Sequence, residues 1–191
     1  MDRTSLSGRL ARGLTLIELM IVLLIVAIAL GLGVPAMRQL IYGMQVSSEI
    51  SRLMGAVNLV RSEALRRNQA VTLCPSSMAA TGEPVCGGTL ADGWIIFANR
   101  DRDKVVDEGD VLIRVFEALP AGFTVTNRKG TIPASERITY LSDGSSRRNR
   151  TLLVCAPDAS NTTSKSLIMN IVGRPRLSRD WGTCPDGEIS D

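Results

Sequence analysis

The sequence predicts an α+β fold: one long N-terminal helix, membrane-spanning in its first half and amphipathic in its second, packed on an antiparallel β-sheet or sandwich head. Three observations carry this. From Leu14 to Val34 the only charge is Glu18, and Leu19 to Val34 is apolar or glycine throughout. Beyond it, apolar residues recur at helical spacing as far as Leu65. The rest of the chain then breaks into short runs rich in valine, isoleucine and threonine, separated by glycine, proline and aspartate.

The first element follows from length. At 1.5 Å per residue the stretch from Leu14 to Val34 spans roughly 30 Å, the hydrocarbon thickness of a bilayer. Arg3, Arg9 and Arg12 precede it and Arg38 is the first basic residue after it. That asymmetry places the N-terminus in the cytoplasm and the bulk of the chain outside it. The apolar run is too long for a cleaved secretory signal, and no small-residue cleavage site follows it. Glu18 is the anomaly, because a carboxylate at membrane depth costs a few kcal/mol unless it finds a partner.

The second element is the continuation of the helix. Leu40, Met44, Ile50, Leu53, Met54, Val57, Val60, Ala64 and Leu65 fall on a helical period, with Glu49, Arg52, Arg61 and Arg66 largely between them. The period predicts a helix to about Asn68 that buries one stripe. The third element is the head. "AVTLC", "GWIIF", "VLIRVF", "GFTVTN", "RITYL", "TLLVC" and "LIMNIV" read as seven strands. Their even spacing argues an antiparallel sheet or sandwich with the helix covering one face.

Composition excludes several functions. The 191 residues contain no histidine, which removes Ser-His-Asp triads, histidine-bound zinc and the commonest general base. No paired acids stand in a recognisable catalytic setting, so the chain reads as a non-enzyme with no cofactor. Net charge is +3, and without the first thirteen residues the balance is nineteen basic against eighteen acidic groups, which names no partner. Cys74, Cys86, Cys155 and Cys184 contain no C-x-x-C and allow three pairings if oxidised.

Two loops invite a site. "NRDRDKVVDEGD", Asn99 to Asp110, holds five carboxylates, and Asp101, Asp103, Asp107 and Glu108 suggest calcium. Val105 and Val106 stand where ligands are wanted and basic residues are interleaved, so the reading is a solvated hairpin tip, with no metal. The sharper feature is basic. From Arg114 to Arg179 eleven Arg or Lys face only Glu117, Glu136, Asp143 and Asp158. The excess sits in "SSRRNR", with Arg147, Arg148 and Arg150, and in "GRPRLSR", with Arg174, Arg176 and Arg179. Arginine forks match phosphate oxygens bidentately. Pro175 makes "GRPR" a turn or a sheet edge. The bland alternative pairs these arginines with the acidic tail, Asp180, Asp186, Glu188 and Asp191.

The N-terminal string "RGLTLIELMIVLLIVAIALGLGVP" resembles that of type IV pilins and type II secretion pseudopilins. The resemblance implies a leader over residues 1–13, a transmembrane half over 14–36, an amphipathic half over 37–68 and a β-rich periplasmic or extracellular head over 69–191. It implies cleavage by prepilin peptidase between Gly13 and Leu14, N-methylation of Leu14, an assembly role for Glu18 as the fifth mature residue, and a helix kink at Pro35. Leu14 departs from the phenylalanine common in the family.

Within the head, "VTLCP", Cys86, "DGWIIF" and "GRPR" resemble the branch containing FimT, FimU and GspH. The cysteines look more like those of type IV pilus minor pilins than of the secretion pseudopilin GspH, which is the alternative. The implied location is the bacterial inner membrane, then a pilus or pseudopilus. There the thiols are expected to be oxidised as Cys74 with Cys86 and Cys155 with Cys184. The implied partners are other major and minor pilins or pseudopilins, prepilin peptidase, the inner-membrane assembly platform and membrane lipid. "GRPR" resembles the G-R-x-R element with which FimT-type pilins bind double-stranded DNA in natural transformation. That nominates Arg174 and Arg176, supported by Arg179, Arg147 and Arg148.

Overall fold

The computed structural model describes residues 15–101, 103, 106–157, 164–179 and 181–185. Gly13, Leu14, Asp180, Asp186, Glu188 and Asp191 therefore lie outside the described residues, as do Arg102, Lys104, Val105 and Asp158. Helix α1 runs over Leu16–Arg67. Thr15 opens it, its hydroxyl accepting the backbone N–H of Glu18 at 3.3 Å, the geometry of a T-x-x-E cap. Arg66 and Arg67 in the last turn complement the helix dipole. Asn68, at φ +51°, ends the helix left-handed, and the Gln69 N–H returns to the Ala64 carbonyl at 3.3 Å. The helix is continuous through Pro35.

The chain divides into two compact units, residues 1–38 and 39–191. In the first, the described part of α1 exposes its apolar side chains from Leu16 to Met37. This is one helix long and apolar enough to cross a membrane, with a mean hydropathy of 2.8 over its most apolar window.

In the second unit α1 buries Val46, Ile50, Leu53, Val57, Val60 and Ala64, spaced four, three, four, three and four residues apart. Leu40, Met44 and Leu65, counted on the stripe by period, are 60 %, 65 % and 51 % exposed instead. Full burial begins at Val46, while Tyr42 one turn earlier is half-buried with its ring edge-on to Phe123, centroids 6.1 Å apart.

Eight strands follow: β1 Val71–Pro75, β2 Trp94–Ala98, β3 Val111–Phe116, β4 Thr124–Thr126, β5 Ile138–Tyr140, β6 Arg150–Cys155, β7 Lys165–Met169 and β8 Pro175–Arg179. They form two four-stranded antiparallel sheets, ordered β3-β2-β1-β5 and β4-β6-β7-β8. A short helix α2, Met78–Thr81, and a 3-10 turn at Leu90–Asp92 lie between β1 and β2. One core joins the helix stripe to Leu73, Trp94, Ile96 and Tyr140 of the first sheet and Leu152, Val154, Leu167 and Met169 of the second. A smaller cluster of Cys74, Ile95 and Phe97 covers the other face of the first sheet, beneath Met78, Cys86 and Val115.

Two disulfides close the head: Cys74 with Cys86, twelve residues apart, and Cys155 with Cys184, twenty-nine apart. The second holds the tail across the outer face of the second sheet. There Ser166 Oγ donates to the Trp181 carbonyl at 2.6 Å and the Thr183 N–H donates to the Arg128 carbonyl at 3.1 Å.

One strand expectation needs correction and the turn-or-edge reading of "GRPR" holds. "LIMNIV" is not wholly strand: β7 ends at Met169, because Asn170 and Gly173 occupy the first and fourth positions of a turn closed by the Gly173 N–H to the Asn170 carbonyl, 2.9 Å. "GRPR" is both turn and sheet edge: Gly173 closes the turn and strand β8 starts at Pro175 on the edge of the sheet, where a missing N–H costs no ladder bond.

Candidate functional site

The basic surface is built on the edge of the second sheet. Strand β8 pairs with β7 in the register Met169 with Pro175, Leu167 with Leu177 and Lys165 with Arg179. Gly173 makes the intervening turn possible. Its φ is +78°, and a Cβ there would collide with the Gly144 carbonyl and the Tyr140 ring. The turn is also tied sideways to the segment that carries Arg147 and Arg148. The Ser146 N–H donates to the Ile171 carbonyl at 3.0 Å, and the Ile171 N–H donates to Asn149 Oδ1 at 2.8 Å. Asn170 Oδ1 accepts the Arg174 N–H at 2.8 Å.

These ties place the arginine segments side by side. Arg174 and Arg176 line an open groove with Asn149, Arg150, Thr151, Ile168 and Asn170. Arg147 and Arg148 line a second groove with Arg137, Arg150, Glu136 and Asp103. Arg150 is common to both. It is half-buried, its guanidinium donates to the Arg137 carbonyl, and Glu136 lies 3.4 Å from it. Burial holds its pKa below the ordinary arginine value, with Glu136 opposing and Arg148 adding to the effect.

Arg147, Arg148, Arg174, Arg176 and Arg179 are exposed, and none has an ion pair among the described residues. Arg179 is the exception to their convergence. Three residues beyond Arg176 on a strand, it falls on the opposite face, in register with Lys165, whose amine donates to Ser47 Oγ of α1 at 2.5 Å. Arg179 lines neither arginine groove. Arg137 was missed as a groove residue, and Arg150, counted in the basic excess, was not foreseen as common to both grooves, because strand pairing around them sets their position. Asn170 was also missed, although Asn at the first and Gly at the fourth position is a legible turn signal.

Of the acidic loop, Asp103 lines the second groove and the other proposed carboxylates line neither. Asp101, Asp103 and Asp107 bring carboxylate oxygens within 4.8 Å of one another, all exposed, in the loop between β2 and β3. Asp110 closes that loop by accepting the Arg100 N–H at 3.3 Å; burial is the main cause pushing its pKa up, with Asp107 and Asp101 adding to it. Glu18 sits in the first turn of α1.

Two family descriptions match the chain. The prokaryotic N-terminal methylation motif matches residues 8–34. The type II transport protein GspH description matches residues 49–173, well over half of the 191. The chain belongs to the GspH family. With the methylation motif, this makes it a pilin-like structural subunit of the kind that builds type IV pili or type II secretion pseudopili, and not an enzyme. A GspH-family subunit of this kind assembles with other pilins or pseudopilins. The family match stops at Gly173, so Arg174, Arg176 and Arg179 lie just past it.

The fold is shared with the type IV minor pilin FimU of Pseudomonas aeruginosa PAO1. One crystal form gives a TM-score of 0.52 at 17 % identity, over 75 % of this chain and 95 % of that one. A second gives 0.51 at 15 % identity, over 74 % and 99 %. The minor pseudopilin EpsH of Vibrio cholerae gives 0.46 at 14 % identity, over 72 % and 95 %. No curated protein matches by sequence.

Proposed function

We propose that this GspH-family chain is a minor pilin of a type IV pilus whose head binds double-stranded DNA through the arginine grooves on the edge of the second sheet. The observation that carries the reading is the convergence of Arg147, Arg148, Arg174 and Arg176, exposed and without ion pairs among the described residues, on grooves floored by a half-buried Arg150. Guanidinium groups held around a groove suit phosphate oxygens and read no base sequence, so this attraction is salt-dependent.

In this account prepilin peptidase cuts between Gly13 and Leu14, and Leu14 is N-methylated. The subunit waits in the bacterial inner membrane with its N-terminus cytoplasmic and its head periplasmic. There the Glu18 carboxylate meets the Leu14 amine of a neighbouring pilin as the assembly platform adds subunits. A buried charge needs such a partner, and the pairing sets axial register. Pro35 gives the helix local freedom to kink as it leaves the bilayer.

The test is the affinity of the full chain, in neutral detergent, for labelled duplex DNA at two salt concentrations. Arg174→Ala with Arg176→Ala is expected to weaken binding and flatten its salt dependence; unchanged binding removes the named site. The second reading, a type II secretion pseudopilin, is favoured by the family description itself. Mass spectrometry of sheared filaments separates the two by the subunits that accompany this one.

A further inference from the structure

The turn between β7 and β8 carries two consecutive β-branched apolar residues, Ile171 and Val172, 56 % and 59 % exposed. Turn tips ordinarily carry Gly, Asn, Asp, Ser or Pro, which serve the backbone. Here the backbone is served by Asn170 and Gly173, and Ile171 and Val172 add only apolar surface.

They also cannot withdraw. Ile171 is held through both its N–H and its carbonyl, to Asn149 and Ser146, and the Gly173 and Arg174 N–H groups are both taken by Asn170. Moving the tip would break the two bonds that tie it to Asn149 and Ser146, and reshaping it would break the two to Asn170. The segment that starts at Ser146, bonded to Ile171, carries Arg147 and Arg148, and the chain that leaves the tip carries Arg174 and Arg176.

A rigid apolar tip between two sets of cations is the arrangement with which DNA-bending proteins push a side chain between base steps. The cations hold the phosphates while the apolar group replaces the lost stacking. We propose that Ile171 and Val172 form an apolar wedge that enters duplex DNA at a deformable step while the flanking arginines hold the backbone. This rests on the DNA-binding reading above. It adds a preference that arginines alone do not supply: flexible pyrimidine–purine steps over stiff A-tracts, with the bound duplex bent.

The experiment uses the full chain in neutral detergent with two end-labelled duplexes, one centred on TA and CA steps and one on an A-tract. Binding is measured by anisotropy and bending by energy transfer between the ends. Wild type should prefer the flexible duplex by roughly fivefold, the low end of what a base position is worth, and shorten its end-to-end distance. Ile171→Ser with Val172→Ser should lose the preference and the bend while keeping the salt slope. Val172→Leu, which keeps an apolar tip, should retain both and controls for folding.

Arg174→Ala with Arg176→Ala should weaken both duplexes equally. If it binds like wild type, the DNA-binding reading fails and the wedge with it. If it weakens binding but wild type shows neither preference nor bend, or the serine variant keeps both, the wedge alone is overturned. A serine variant that treats DNA normally but enters filaments poorly would make the tip a subunit contact and overturn the wedge as well.

Discussion

Replacing Gly173 by alanine perturbs the left-handed position of the basic turn, which Asn170 closes from its other end. An L residue at φ +78° pays about 1 to 2 kcal/mol for its backbone conformation alone. The added methyl would also overlap the Gly144 carbonyl and the Tyr140 ring, which belong to the adjoining turn and the first sheet, and forced overpacking of this kind costs about 1 to 3 kcal/mol. A loss of roughly 2 to 5 kcal/mol is therefore expected, partly relieved by local opening of the turn. For a chain of this size each kcal/mol lowers the melting temperature by roughly 2 to 4 °C. The assay is thermal unfolding of the head followed by near-ultraviolet circular dichroism, with hydrogen exchange at Ile171, Gly173 and Arg174 to locate the opening. Gly55→Ala is the matched control: Gly55 lies inside α1 with nothing within 4 Å of a new Cβ, so it should be neutral or stabilise by up to about 1 kcal/mol. A Gly173→Ala protein that melts within about a degree of wild type, with unchanged exchange at those amides, would mean that the turn does not need glycine.

The other expectations concern stability and assembly. Opening Cys155–Cys184 with serines should cost roughly 3.5 kcal/mol and opening Cys74–Cys86 roughly 3, following loop length; equal and negligible losses in denaturant titrations would contradict the entropic account. Glu63 is buried at the end of α1 and bound by Arg66 and Arg67 at 2.6 Å each, bonds that hold its carboxyl below the usual carboxylate range, Arg66 first. A depressed folded-state pKa contributes stability that is complete above the ordinary glutamate value of 4.5 and lost as pH falls through the folded value. Glu63→Gln should thus flatten the stability profile in that acid range and leave a constant deficit above it; a parallel profile would count against the linkage. Glu18→Ala should insert into the membrane but enter filaments poorly, and normal incorporation would sink its assembly role.

How far the sequence could be read depended on whether a signal was local. Leu19 to Val34 is apolar without a break and the stripe from Ile50 to Ala64 is periodic, so the helix was legible to within a residue of its end at Arg67. "VLIRVF" coincides with β3 because glycine and aspartate bound one side and a proline turn the other. At the basic edge the local signals conflict. Ile171 and Val172 look like strand, but they ride on a turn set by Asn170 and Gly173. Pro175 looks like a strand breaker, yet it opens β8 where no ladder partner needs its N–H. Once β8 is a strand, pleating sends Arg176 and Arg179 to opposite faces, which no count of arginines reveals. The same limit applies to Arg137 and Arg150, whose shared groove is a product of which strands lie beside them.

If the arginine grooves hold DNA phosphates, binding must release counterions in proportion to the arginines engaged. The most direct test is the slope of log binding constant against log salt for the full chain on duplex DNA, wild type beside Arg174→Ala with Arg176→Ala. Each phosphate contact contributes about 0.9 to that slope, so losing both arginines should reduce it by roughly 2 and weaken binding evenly across sequences. A slope and an affinity that both survive the double substitution would contradict the claim.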